Sequence, residues 1–172
     1  MQQPYRVGST NASVYFDNCL VGAIVNGDHP SEIDALALLL DDHERGSVDV
    51  VASTEVLGEI RSVLETYRRP HLEVWNRCQR LTAAPFEWEE GPSSATARVV
   101  DPDYQALSQI LPDEMDRRHV HHAIKNGVTI FATVDRRTIL SRVAQIEAKF
   151  PIRFGTPSQV VEMLGLSRTP ST

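Results

Sequence analysis

The sequence predicts a three-layer α/β/α fold, with a central parallel β-sheet covered by helices on both faces. Two observations carry this. Short β-branched and aromatic runs alternate with longer stretches of helical spacing, the pattern of strand, crossover helix and next strand. The 172 residues, 41% apolar and 23% charged, suffice for one core of ordinary size but not for a second full domain.

The elements follow in order. Val14-Tyr15-Phe16-Asp17 is an apolar run that closes on an acid and is expected as the first strand. Ser31 and Asp34 resemble a capping box before the apolar residues 35–40, and Gly46 stands where a C-terminal cap belongs. Val48-Asp49-Val50-Val51-Ala52 is the second strand. Ser53 or Thr54 can cap the next helix, whose apolar stripe is Val56, Leu57, Ile60, Val63 and Leu64. That helix should end near Arg68, because Pro70 disfavours helical backbone at Arg69. Residues 85–103, PFEWEEGPSSATARVVDPD, read as a loop with a short strand at 97–100. Pro112-Asp113 opens a helix that Gly127 closes, and the run 128–133 is the next strand. Ile139, Leu140, Val143 and Ile146 give helical spacing to 137–149. Ile152-Arg153-Phe154 is a last strand, and Thr156-Pro157 combines a cap with proline at the first helical position. A frayed tail is expected at 167–172.

Composition narrows the function classes. A net charge of −6 argues against coating nucleic acid by bulk electrostatics, which needs many Lys and Arg. The two cysteines, Cys19 and Cys78, are too few for a disulfide framework or a zinc knuckle, so a reducing cytoplasm is the expected compartment. No stretch approaches the apolar length of a membrane span, and the first residues lack the apolar core of a signal peptide.

Acids are the candidate functional groups. Ligands of parallel α/β sheets bind beyond the carboxyl ends of the strands. Asp17 closes the first strand and Asp135 follows Thr133 at the end of another, although Asp also starts turns well. Glu59 flanks the apolar stripe of its helix and is nearer the buried face than Glu55. Asp113 and Asp116 sit at a helix start, where the exposed amides favour carboxylates, and His119 lies one turn beyond Asp116.

Four segments then act together. VYFDNC gives strand then acid. In STEVLGEI, Ser53 opens a helix and Glu59 comes six residues later. DRRHVHHAIKNGVTIFATVD gives Asp116, His119 at +3, Ala123 at +7, Gly127 at +11 and a strand ending Thr133-x-Asp135. IRFGTPSQVVEML closes with a strand and a helix. This arrangement resembles the PIN-domain family, the fold of many bacterial toxin ribonucleases and of nucleases in RNA processing. The resemblance covers residues 14–164, with nothing diagnostic in 70–103. It implies a single PIN-like domain over 1–166, with metal-binding catalytic acids at Asp17, Glu59, Asp116 and Asp135. Asp113 is an optional fifth, with support from Thr133 and Asn18. Where the family commonly has a small or hydroxyl residue and then Asn after the first acid, this chain has Asn18 and Cys19.

The chemistry implied is RNA phosphodiester hydrolysis with Mg²⁺ or Mn²⁺, cations that prefer oxygen ligands and keep several waters. Without metal, crowded carboxylates repel, so at least one should hold a proton into a higher pH range and activity should rise toward neutral pH. The expected partners are single-stranded or looped RNA, an antitoxin protein if the chain is the toxin of a two-component pair, and a second copy of the chain. Arg136 and Arg137 stand where they can reach phosphate.

Other readings compete. Asp116 with His119 has plausible zinc spacing but lacks paired His at i and i+4, and His121 and His122 are expected on the helix surface. Trp75 and Trp88 suggest a stacking platform, with burial the commoner role of large aromatics. A phosphatase of the haloacid dehalogenase type would need Asp where Cys19 stands. A non-catalytic PIN-like module that holds RNA or protein is the main alternative.

Overall fold

The computed structural model describes residues 4–6, 10–81 and 101–167. The first strand, β1 (Ala12–Phe16), is the centre of a five-stranded sheet because both of its faces are apolar. Its neighbours are β2 (Val48–Ala52) and β4 (Ile130–Ala132), with β3 (Gln79–Arg80) and β5 (Arg153–Gly155) outside them. Every pairing is parallel, in the order β3-β2-β1-β4-β5, with Val14 opposite both Val50 and Ile130.

Successive strand residues face opposite sides of the sheet, so each strand feeds two cores. Val14, Phe16, Val50, Ala52 and Ala132 face one side, beneath α1 (Asn18–Asn26), α2 (Pro30–Glu44), α3 (Thr54–Ser62), α4 (Glu65–Arg77) and α8 (Pro157–Leu164). Tyr15, Val51, Phe131 and Phe154 face the other, beneath α5 (Pro102–Ser108), α6 (Glu114–Lys125) and α7 (Val143–Glu147). This is a three-layer α/β/α fold. No helix among the described residues is long and apolar enough to cross a membrane.

Several boundaries differ from expectation, each for a local reason. The helix expected from Ser53 to Arg68 is two helices. Val63 and Leu64 adopt extended backbone, with ψ of 146° and 140°, and α4 restarts at Glu65. Arg68 stabilises the break by donating to the Arg61 and Val63 carbonyls at 3.1 Å each, groups that a helix end leaves without partners. Leu64 therefore leaves the apolar stripe and is 72% exposed. Pro70 does not stop the chain. It lies inside α4, where it removes one backbone donor while burial of His71, Val74 and Trp75 holds the helix beyond it.

The single helix expected over 137–149 is broken as well. A turn at Asp135 leads into a 3-10 segment, Leu140–Arg142, and α7 starts afresh at Val143. Ser31 does not cap α2, because the helix begins one residue earlier with Pro30 at its first position and His29, at φ 54°, before it. Gly46 does follow that helix in left-handed backbone, at φ 78°.

Helix α1 was not anticipated. Its run NCLVGAIVN carries no charge to mark a solvent face, and its ends are set by Asp17 before it and left-handed Gly27 after it. The expected loop over 85–103 ends early, since Asp101 caps α5. The rest of that loop, the strand at 97–100, Trp88 and the tail beyond Ser167 lie outside the described residues.

Candidate active site

The connections β1 to β2 to β3 run to one side of β1, while β4 and β5 lie on the other. The order therefore reverses between β1 and β4, and such a switch point opens a crevice at the carboxyl ends of the strands. Asp17 follows β1 and Thr133 follows β4, so both stand at that end of the sheet. The amino end of α6 points to the same end of the sheet, because α6 precedes β4, and it brings Asp113 and Asp116 there.

Thr133 joins the two strand ends. Its hydroxyl donates to Asp17 Oδ2 at 2.7 Å and accepts from the Asp135 amide at 3.0 Å. The resemblance pointed to Thr133 as a support beside Asp135; its hydroxyl serves the Asp17 carboxylate at the same time. Asp17 also accepts from the Asn18 amide at 2.8 Å and the Cys19 thiol at 3.1 Å. Asn18 thus contributes its backbone, and the Cys19 thiol joins the Thr133 hydroxyl as side-chain support, at the position where the chain departs from the family pattern. Burial first, and then the Asp17 charge, pushes the Cys19 thiol pKa up, so it stays a neutral donor.

Asp135 accepts from the Arg137 and Thr138 amides, each at 2.9 Å, and from the Thr138 hydroxyl. Burial alone would raise its pKa, but these bonds and the Arg137 charge hold it below the ordinary value. Asp116 behaves oppositely. Burial pushes it up, and the charges of Asp113, Asp17 and Asp135 add to this while the nearby Thr138 hydroxyl opposes it, taking it to about 6. The nearby Arg118 guanidinium pairs with Glu114 at 2.7 Å and Glu55 at 3.9 Å. Asp113 is chiefly a cap. Its carboxylate accepts from the Met115 and Asp116 amides at 2.9 and 3.1 Å.

Glu59 joins from the side. Its Oε2 lies 3.4 Å from His119 Nε2, and His119 is 2% exposed. On the other side of the ring, His119 Nδ1 meets the Tyr15 hydroxyl at 2.5 Å, which in turn meets Ser53 Oγ at 2.7 Å. Burial lowers the affinity of His119 for a proton, yet Glu59, Asp17 and Glu55 outweigh it and hold its pKa above the ordinary value. Ser53 and Tyr15 were not anticipated as parts of the site.

The neighbouring histidines correct the expectation of a helix surface, because both are buried. His121 Nε2 is 3.4 Å from Asp101 and edge-on to Tyr104, which ties α6 to α5. His122 is pushed down to about 4 by burial and by the charges of His119, His121 and Arg118. Trp75 is 8% exposed and donates to the Ser53 carbonyl at 3.3 Å, so it is a packing residue rather than a stacking platform.

Among the described residues, no group of three or more His, Cys, Asp or Glu side chains is arranged to hold a metal ion by itself. Asp17 and Asp116 nonetheless offer hard carboxylate oxygens, and Mg²⁺ is commonly held by one or two carboxylates with waters and substrate phosphate completing the shell. The donor set fits that mode and not a closed protein cage. No family model matches the chain, and no curated protein or solved structure matches it either.

Proposed function

We propose that this chain is a PIN-like endoribonuclease that hydrolyses phosphodiester bonds in single-stranded or structured RNA with Mg²⁺ or Mn²⁺. The observation that carries the reading is the placement of Asp17, Asp116 and Asp135 at the carboxyl ends of the strands beside the switch point, where burial and the neighbouring carboxylate charges push the Asp116 pKa up to about 6. Structural carboxylates are usually relieved by cations or amide donors, whereas Asp116 is raised by burial first and then by like charge, a condition typical of functional sites.

Asp17 and Asp116 would hold the metal. When bound, it supplies charge neutralisation at the phosphate and makes a water a better nucleophile at neutral pH. Thr133 and Cys19 keep the Asp17 carboxylate oriented, and Asp135 fixes the turn that carries the exposed Arg136 and Arg137 toward the backbone of the RNA. Asp116 must be ionised to act, so activity rises as pH passes about 6 and falls below it.

Purified wild type and an Asp17→Asn, Asp116→Asn double variant, incubated with mixed single-stranded RNAs in Mg²⁺, Mn²⁺ or chelator, test the reading. Cleavage by the wild type alone, and only with metal, is the expected result. The lack of a three-ligand cluster among the described residues favours a second reading, a module that binds RNA without cutting it. RNA binding without cleavage under every metal would establish that second reading. The resemblance also suggests the toxin of a two-component pair, in which case induced wild type arrests growth and the double variant does not.

A further inference from the structure

We infer that Ser53, Tyr15 and His119 form a buried, one-directional hydrogen-bond relay that holds Glu59 at the edge of the carboxylate cluster, which makes Tyr15 and His119 positioning residues for that carboxylate. The relay itself stands on geometry. Its consequence for catalysis rests on the ribonuclease reading.

The direction follows from donor chemistry. An ionised carboxylate only accepts, so His119 Nε2 must carry the proton that faces Glu59 Oε2 at 3.4 Å. Above the range in which the ring titrates, which the neighbouring acids hold higher than ordinary, the neutral ring has an acceptor at Nδ1, and Tyr15 donates across the 2.5 Å contact. With its proton committed, the Tyr15 oxygen accepts from Ser53 at 2.7 Å. Every link therefore points toward Glu59.

Three features set this apart from incidental core polarity. The Tyr15 ring is fully buried, stacked on Phe131 at 4.8 Å and edge-on to His119 at 5.9 Å, so packing fixes where its hydroxyl lies. Ser53 occupies the N-cap position of α3 yet makes no capping bond there, its hydroxyl being directed to Tyr15 instead. At the far end, Glu59 Oε2 and His119 Nε2 are buried, have no aligned hydrogen-bond partner among the described residues, and face one another at 3.4 Å. A 3.4 Å contact is short of a well-aligned bond, and such contacts tighten when a site is occupied.

The four residues come from four places: β1, the turn after β2, α3 and α6. The relay thus fixes the helix that carries Glu59 relative to the strand that ends in Asp17. A carboxylate displaced by about 1 Å can lose about 100-fold in rate, which is what the relay prevents.

Nitrogen-15 and carbon-13 NMR of the full chain, above the titration range of the ring, tests this with Tyr15→Phe, Ser53→Ala, His119→Gln and His119→Ala. The wild type should show His119 protonated on Nε2, with a hydrogen-bonded, proton-free Nδ1. Tyr15→Phe keeps the ring stack; it should move Nδ1 to the unbonded position and shift the Glu59 carboxyl resonance. Ser53→Ala should do the same to a smaller degree and serves if Tyr15→Phe does not fold. In RNA cleavage, Tyr15→Phe should lower kcat about tenfold at unchanged KM. His119→Gln, which keeps an N–H toward Glu59, should stay within about threefold of wild type while His119→Ala loses about 100-fold. A proton on Nδ1, a Glu59 resonance unmoved in both hydroxyl variants, or equal loss in Gln and Ala would each overturn the relay. Absence of wild-type cleavage would instead sink the nuclease reading, leaving the ring and carboxyl resonances to decide the relay.

Discussion

Thr133 is the side chain on which the two strand-end acids depend, because one buried hydroxyl serves Asp17 as donor and the Asp135 amide as acceptor. Thr133→Val preserves shape and removes both bonds, leaving Asp17 Oδ2 with the Cys19 thiol alone. It should cost about 2 kcal/mol in a urea denaturation experiment, the penalty of unpairing a buried polar group. A loss under about 0.5 kcal/mol would mean that water replaces the hydroxyl readily. Asp116 makes the opposite prediction. Its native pKa of about 6 exceeds the ordinary 3.8, so the native state binds its proton more tightly than the unfolded chain. The associated stability is fully present below 3.8 and is lost as pH rises through about 6. Asp116→Asn should therefore gain about 1 kcal/mol at pH 8, a figure reduced because the group is only partly buried, and nothing at pH 4, while abolishing cleavage. Equal urea midpoints for the two proteins at pH 8 would show that burial and neighbouring charge do not raise the Asp116 pKa in the folded chain.

At the scale of the element, the first turn of α6 carries both its cap, Asp113, and the candidate acid Asp116. Asp113 caps it through the Met115 and Asp116 amides. Asp113→Ala should cost about 1 kcal/mol, whereas Asp113→Ser should keep the cap and also most of the cleavage activity, separating capping from catalysis. A serine variant that folds normally but does not cut would move Asp113 into the catalytic set. The start of α6 was readable beforehand because proline and aspartate announce it locally, and so was α8, whose Thr156 and Gln159 form a capping box. The break at Val63 was not readable. It depends on Arg68 reaching back to two carbonyls, a bond that exists only once the chain has turned. The same limit hid the relay. Ser53 and Tyr15 are 38 residues apart in sequence, and Tyr15 and His119 are 104 apart, so locally one reads as a helix cap and the other as an interior strand residue.

For the whole molecule, the parallel order β3-β2-β1-β4-β5 brings the candidate acids Asp17, Asp116 and Asp135 to one end of the sheet. Asp17, Asp116 and Asp135 could be singled out because strand ends and helix starts are local signals whose meeting point the topology decides. A cation bound there should stabilise the folded chain by mass action, since the unfolded chain has no such cluster. Melting temperature should rise with the logarithm of Mg²⁺ or Mn²⁺ concentration, corresponding to about 2.7 kcal/mol at a hundredfold excess over Kd. The rise should be smaller at pH 5 than at pH 8, because the proton on Asp116 competes with the ion below about 6. Asp17→Asn with Asp116→Asn should remove the rise while folding normally. Since this measurement needs no RNA, it separates cation binding from catalysis. A rise that persists undiminished in the double variant would put the ion elsewhere on a chain of net charge −6 and would detach these carboxylates from metal chemistry.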